Sequence, residues 1–309
     1  MYFFISLKQI IIMFILMTVG FLCRKINLLH EQTNKELTHI LLYVVSPCII
    51  LNSLFQPATP ELIKQFIYAF FATILVFSVS IILAKLLFSL PKLRDLPEKN
   101  TMKFTSTYSN GGFMGIPLVQ AMMGVAGTFF SVPYLVVYNI FLWSHGVSIF
   151  KKEKQDVVEQ IRTIVLNPNI IFTIIGLIIF LLKIKMPVIV TEPIKDIVGV
   201  NTPLSMIVIG ANLSDISVKM VKSGKIWLTC LLRNLIFPLL MVLMLSLLPL
   251  SHSAYLAIAI MVSCPIPGLV VMLSLINDQP LEFPTQSLCL STILSVITLP
   301  LVIMIATMI

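Results

Sequence analysis

Residues 105–118 read Thr-Ser-Thr-Tyr-Ser-Asn-Gly-Gly-Phe-Met-Gly-Ile-Pro-Leu, inside an otherwise apolar stretch. The second half has a counterpart at 261–269, Met-Val-Ser-Cys-Pro-Ile-Pro-Gly-Leu. A regular helix does not run through Asn110-Gly111-Gly112 and on past Pro117. Glycine weakens the helix, and proline removes a donor and clashes with the preceding turn. Two prolines within Ser263–Gly268 make continuous helix there still less favourable. In hydrocarbon, freed backbone groups must be buried in protein or line a wet cavity. Interrupted helices at corresponding places in two halves point to the binding site of a transporter.

The composition explains why hydrocarbon is the right solvent to consider. The 309 residues are 58% hydrophobic and 11% charged, whereas soluble domains carry about 25% charged residues. The longest polar stretch, Lys151–Asn169, is too short to bury a core of its own. The net charge of +8 resides in short loops between apolar runs, so it reads as an orientation signal and not as a nucleic-acid footprint. Cys23, Cys48, Cys230, Cys264 and Cys289 are widely spaced and suggest neither a disulfide framework nor a metal cluster. No phosphate-binding loop or nucleophile motif stands out, so an enzyme and an ATP-driven pump are both disfavoured. The first run lacks a small-residue cleavage site and is followed by Arg24-Lys25, so it is expected to be a span and not a leader.

Apolar runs of spanning length cover 2–23, 37–56, 62–90, 101–124, 127–150, 167–184, 188–213, 225–249, 253–276 and 283–308. The run 188–213 is expected to be interrupted at Gly199, Asn201 and Pro203. The expected fold is an all-α polytopic membrane protein with ten transmembrane helices. Arg24, Lys25 and Lys35 follow the first run, and Lys92, Arg94 and Lys99 the third. Lys151, Lys152, Lys154 and Arg162 follow the fifth; Lys219, Lys222 and Lys225 follow the seventh. The opposite side is poor in cations, apart from Lys64 and the exception of Lys183, Lys185 and Lys195. The bias predicts a multi-pass protein of the cell membrane with both termini outside the cytoplasm.

Three pairs, Pro47 with Pro203, Ser109 with Ser263 and Pro133 with Pro284, are each separated by about half the chain. With five spans per half, the second half must enter from the opposite side, which gives a 5+5 inverted repeat. Residues 1–150 form the first half, 151–166 a short cytoplasmic linker and 167–309 the second half. The broken spans four and nine are expected to cross near the midplane.

An isolated proline in a span is usually a packing kink. Here Ser109, Asn110, Gly111, Gly112, Gly115 and Pro117 are crowded together behind a row of hydroxyls, which favours a site. The second half-helix is expected to start near Gly115, with free N–H groups and a positive dipole end suited to a carboxylate. Ser263, Pro265 and Pro267 would complete the cavity from the other side. Arg233 lies well inside the eighth run; either its fork binds a carboxylate, or it snorkels toward Lys225 or pairs with Asp215. Asn139 and Asn201 are candidates for the cavity lining, although such residues more often bridge helices. Lys103 reads as interfacial, and no proton relay is assigned to His145. No acidic residue lies clearly at mid-depth, so the coupling ion, a proton or sodium, has no evident carboxylate.

Ser109-Asn110-Gly111-Gly112-Phe113-Met114-Gly115-Ile116-Pro117-Leu118 resembles the signature of the auxin efflux carrier family. Asn201-Thr202-Pro203-Leu204, Gly210-Ala211-Asn212-Leu213 and Arg233-Asn234 with Pro238 are similar to further segments of that family. The resemblance covers nearly the whole chain. It implies crossing broken helices 4 and 9 in an inverted repeat, as in bile-acid symporters and sodium/proton antiporters. It also implies a scaffold of spans one, two, six and seven, a mobile transport domain from the rest, and a homodimer. Plant members export the carboxylate auxin, and bacterial members are usually assigned malate, malonate or similar anions. This chain lacks the long cytoplasmic loop of many plant members. Pro265 and Pro267 both fit the family's crossover proline. A secondary permease for a small organic anion, embedded in the lipid bilayer, is the expectation. A channel or sensor on the same fold is the alternative.

Overall fold

A computed structural model describes residues 2–151, 157–215 and 222–309, and all regular structure among them is helical. In chain order the principal elements are α1 (Tyr2–Lys25), α2 (Glu31–Leu54), α3 (Pro60–Leu87), α4 (Lys99–Thr107) and α5 (Ile116–Phe141). They continue as α6 (Pro168–Leu181), α7 (Val188–Asn212), α8 (Gly224–Ser246), α9 (His252–Ser263), α10 (Leu269–Ile276) and α11 (Glu282–Ala306). Among the described residues seven helical stretches are long and apolar enough to cross a membrane, and α6 and α9 are shorter apolar helices. A further short helix covers Val157–Val165. The cations Lys152, Lys154 and Lys219 lie outside the described residues.

The surface is apolar where a soluble protein would be polar. Phe4, Phe71, Leu182, Ile189, Leu247 and Ile297 are all largely exposed, while Thr105, Ser205, Thr229, Arg233, Asn234 and Ser291 are buried. This inversion suits lipid, where apolar side chains face outward and polar groups need partners inside the bundle. Among the described residues no Asp or Glu side chain is buried. The Asp215 side chain is outside that set.

Helix α1 packs along α7, and α2 packs on α6 and α7. The α1–α7 crossing is close because both helices present glycine: a Cβ on Gly20 would strike the Ile207 carbonyl, and one on Gly210 the Met17 carbonyl. A second group is built from α3, α5, α8, α9 and α11, with α9 lying against α5 and α8. The groups meet where α1 touches α11, where α5 touches α1, α2 and α6, and where α7 touches the turn Gly111–Gly115.

Three of the prolines follow widened turns. Leu41–Val45, Gly111–Gly115 and Leu232–Ile236 are π-helical, and each ends two residues before a proline: Pro47, Pro117 and Pro238. Proline leaves the preceding turn without a bond and crowds its carbonyl; a local π bulge absorbs both defects without ending the helix. Two sequence expectations need correction. Residues 188–212 form one helix that contains Pro193 and Pro203, so Gly199, Asn201 and Pro203 do not interrupt it. The first break is not Asn110–Pro117 but Tyr108–Asn110, and helical winding resumes at Gly111 instead of near Gly115.

The stretch Lys99–Gly146 also doubles back. Gly124 takes a non-helical conformation at φ +62 and ψ −149. A Cβ on Gly127 would lie 2.9 Å from Val119 Cγ1, although the same residues in a continuous helix would be about 12 Å apart.

The glycine contacts make a matched test within α7. Gly210→Ala is expected to destabilise the protein by about 1–3 kcal/mol through overpacking against the Met17 carbonyl. Gly199→Ala, whose added methyl meets nothing within 4 Å, should be neutral or stabilising by about 0.5–1 kcal/mol. Thermal melts of detergent-purified protein followed by size-exclusion chromatography would measure the difference.

Candidate functional site

The first break begins where α4 loses its register. Thr105, Ser106 and Thr107 turn their hydroxyls back onto the carbonyls of Thr101, Met102 and Lys103. Such bonds compete with the helix ladder, and the chain becomes extended at Tyr108, with φ −98 and ψ 132. The second break follows α9: Cys264 is extended and prolines occupy 265 and 267, so no ladder forms until α10.

The two breaks touch. The Asn110 N–H donates to the Pro265 carbonyl at 2.8 Å. Ser109 Oγ donates to the Met261 carbonyl at 2.8 Å and lies 2.7 Å from the Tyr134 hydroxyl. Close approach depends on Gly115: a Cβ there would come within 2.6 Å of Met261 Sδ and 3.2 Å of Cys264 Sγ. Gly111 faces Tyr134 and Met261, whereas a Cβ on Gly112 would meet nothing within 4 Å. Of the two prolines of the second break, Pro265 is the one that meets Asn110; the Pro267 carbonyl instead accepts from Val270 N–H at 3.2 Å.

Arg233 sits between the breaks, only 2% exposed. Its Nε donates to the Cys264 carbonyl at 3.1 Å, and Nη1 reaches the carbonyls of Ser106 at 3.3 Å and Thr107 at 3.4 Å. Nη2 donates to the Val262 carbonyl. One guanidinium therefore caps the C-terminal ends of both α4 and α9, where carbonyls lack helical donors and the dipoles are negative. The side chain does not snorkel, and its fork is occupied by main-chain oxygens.

The next residue serves the opposite need. Ile266 N–H donates to Ser291 Oγ at 3.0 Å, and Ser291 Oγ donates to Asn234 Oδ1 at 2.6 Å. Asn234 Nδ2 returns a bond to the Ser291 carbonyl at 2.8 Å. Arg233 thus supplies donors to freed carbonyls, and the Asn234–Ser291 pair supplies an acceptor to a freed N–H. Sequence reasoning named neither Ser291 nor Tyr134 as a site residue. Ser291 is a lone hydroxyl in an apolar run, without a local signal. The Arg233-Asn234 doublet in an otherwise apolar helix was the available clue to Asn234.

Other candidates are placed differently. Asn139 donates to the Leu135 carbonyl of its own helix at 2.8 Å, and Ser263 to the Ala259 carbonyl at 2.6 Å. Asn201 is buried in α7, the helix that packs on Gly111–Gly115, and its Nδ2 has no partner among the described residues. The Asn110 side-chain amide is also without a hydrogen bond among the described residues, although Asn110 is only 6% exposed. No acceptor among the described residues engages the N–H groups of Gly111, Gly112 and Phe113, the first of the resumed helix. The arrangement is a set of unspent donors beside a crossover whose carbonyls are already capped. No group of His, Cys, Asp and Glu able to hold a metal occurs among the described residues.

The capping roles make a direct stability prediction. Arg233→Met leaves four buried carbonyls without the donors they have here, at about 1–3 kcal/mol each, and should abolish recovery of monodisperse protein. Ser291→Ala orphans only the Ile266 N–H and the Asn234 carbonyl oxygen, and should lower stability by about 1–3 kcal/mol while leaving the protein foldable. Chromatographic recovery and melting of both variants would check this.

Comparison with known proteins places the chain among transport proteins. The family model described as "Membrane transport protein" matches residues 5–303. An uncharacterized transporter from Methanocaldococcus jannaschii is 23% identical over 234 residues, which covers 72% of this chain and 73% of that protein. The signature around Asn110 and the segments around Asn201 and Arg233 therefore stand in a chain that belongs to the membrane transport protein family, the family of the auxin efflux carriers.

Proposed function

We propose that this protein is a secondary transporter of a small organic anion such as malate or malonate, working by alternating access. The bond from Asn110 N–H to the Pro265 carbonyl carries the reading, because it joins two interrupted helices and leaves unspent donors around the joint. The Asn110 amide, the N–H groups of Gly111, Gly112 and Phe113, and the unpartnered Asn201 Nδ2 are suited to a carboxylate. Gly112 leaves open space beside them. Arg233 acts as the positioning group that keeps the carbonyls of α4 and α9 from repelling an anion, so its charge works at the site although its fork does not bind the solute. Ser109, Gly115, Pro117, Ser263 and Pro267 shape the crossover, and Asn139 supports it from α5.

Ten crossings in a 5+5 inverted repeat follow if Lys99–Gly146 is divided at Gly124, α9 and α10 make one broken span, and α6 spans as a short helix. The packing of α1, α2, α6 and α7 on one another supports a scaffold, with the remaining helices as the moving part. Lys and Arg distribution supports termini on the non-cytoplasmic side of the cell membrane, with 151–166 as a cytoplasmic linker between halves 1–150 and 167–309. We further propose a homodimer assembled through the scaffold. Coupling to a proton or sodium ion would have to use groups other than a buried carboxylate among the described residues.

Proteoliposomes supply the test. The protein should take up labelled malate or malonate with saturation and counter-exchange, which an open channel would not show. Asn110→Ala should reduce uptake at sub-saturating substrate by about tenfold or more, the scale of one lost hydrogen bond to a charged group. Absence of flux for malate, malonate and indole-acetate alike would reject the organic-anion reading.

A further inference from the structure

A cavity of about 210 Å³ opens directly beside the first break. Its polar lining is Lys85 from α3, Asn100, Lys103 and Thr107 from α4, and His145 from the turn after α5. Residues 100, 103 and 107 recur at the spacing of one helix face. Lys85 and Asn100 form an exposed rim, while Lys103 and His145 are half-buried and Thr107 is buried.

Among the described residues no carboxylate pairs with this concentration of positive charge. The ion pairs among the described residues are Lys35–Glu31, Arg94–Asp95, Lys195–Glu192 and Lys225–Glu98, and none involves Lys85 or Lys103. Glu98, the acid nearest in sequence to Lys103, is held by Lys225 at 2.9 Å. Lys99 Nζ bonds the Arg94 carbonyl at 2.7 Å and brings another like charge near Lys103. Like-charged ammonium groups gathered around one cleft repel one another, and an anion bound among them relieves that repulsion.

The cavity floor is also prepared for negative charge. Thr107 is the last residue of α4, where the helix dipole would repel an anion, but Arg233 Nη1 already holds its carbonyl at 3.4 Å. The wall is tied to the break by Tyr108, whose hydroxyl donates to the Phe141 carbonyl at 2.8 Å and lies 3.0 Å from His145 Nδ1. The cleft ends at Thr107, the residue before the Tyr108–Asn110 break.

The geometry points to a second anion site, an antechamber in which Lys85 and Lys103 capture a small mono- or dicarboxylate before it reaches the crossover. Its role as antechamber rests on the transport reading above, but its capacity to bind an anion does not. Lys103 is thereby a ligand and not the merely interfacial residue that its position in the sequence suggested. The volume is below the roughly 300–1,000 Å³ of pockets for drug-sized ligands, so it suits a compact solute. A phospholipid headgroup shares the anionic chemistry; the half-buried Lys103 and the small volume favour the free solute.

Malonate titrated calorimetrically into protein in neutral phosphatidylcholine nanodiscs tests the site. In the Asn110→Ala background, where the crossover is weakened, malonate should still bind. Adding Lys85→Gln and Lys103→Gln should weaken that binding by about tenfold or more and flatten its salt dependence. Lys85→Arg with Lys103→Arg should restore it. Unchanged malonate affinity in the double glutamine variant, or no binding at all in neutral nanodiscs, would overturn the proposal. So would a variant that loses only co-purified phosphatidylglycerol, which would make the cleft a headgroup site. If malonate binding depends on the lysines yet proteoliposomes show no carboxylate flux, the anion site stands and the transport reading falls.

Discussion

A backbone opened inside a bilayer must find partners for every group that the helix releases. Water is not there to take them, and each unsatisfied group costs several kcal/mol. This chain opens twice, at Tyr108–Asn110 and at Cys264–Pro267, and the surrounding structure is organised around closing that deficit. Part of the solution is mutual, since the Asn110 N–H uses the Pro265 carbonyl. The rest comes from one turn of α8, where Arg233 donates to carbonyls at the ends of α4 and α9 and Asn234, through Ser291, accepts from Ile266. A buried charge is tolerated here because it faces a ring of carbonyl oxygens at two negative helix ends.

The same constraint explains how the helices absorb proline. In α2, α8 and the helix resumed at Gly111, a π turn stands just ahead of Pro47, Pro238 and Pro117. Widening the turn relieves the contact between the ring and the preceding carbonyl while keeping the ladder otherwise closed. Glycines do the complementary work between helices. Gly20 and Gly210 bring α1 and α7 to backbone contact, and Gly115 lets Met261 and Cys264 approach the crossover. Close packing of small residues replaces the hydrophobic drive that is absent between helices in lipid.

Electrostatics divides the cations by role. Arg233 spends its donors on the main chain, so it sets the potential of the crossover without being available as a clamp. Lys85 and Lys103 have no ion-pair partner among the described residues and lie outside the crossover, on the side where α4 begins. The route proposed for an anion runs from these ammonium groups to the uncommitted donors around Asn110, and the described residues bury no carboxylate to oppose it.

The run of apolar segments, the membrane class and the existence of two breaks were legible in the sequence, because hydropathy and Gly/Pro chemistry are local properties that need no partner to act. The limits of the first break were not. Gly111-Gly112 and Pro117 look like the interruption, yet a π turn accommodates them, and the chain opens three residues earlier where hydroxyls and the pairing with Pro265 compete with the ladder. Nor could local chemistry decide the partner of Arg233, the choice between Pro265 and Pro267, or the value of Ser291 and Tyr134. Each of these depends on groups from distant parts of the chain, brought within hydrogen-bond reach only when α4, α8, α9 and α11 pack together. The sequence by itself determined where the backbone must lose its regular bonds; the tertiary structure decided which groups take them up, because hydrogen bonds are set by distance and direction in space and carry no mark in the order of residues.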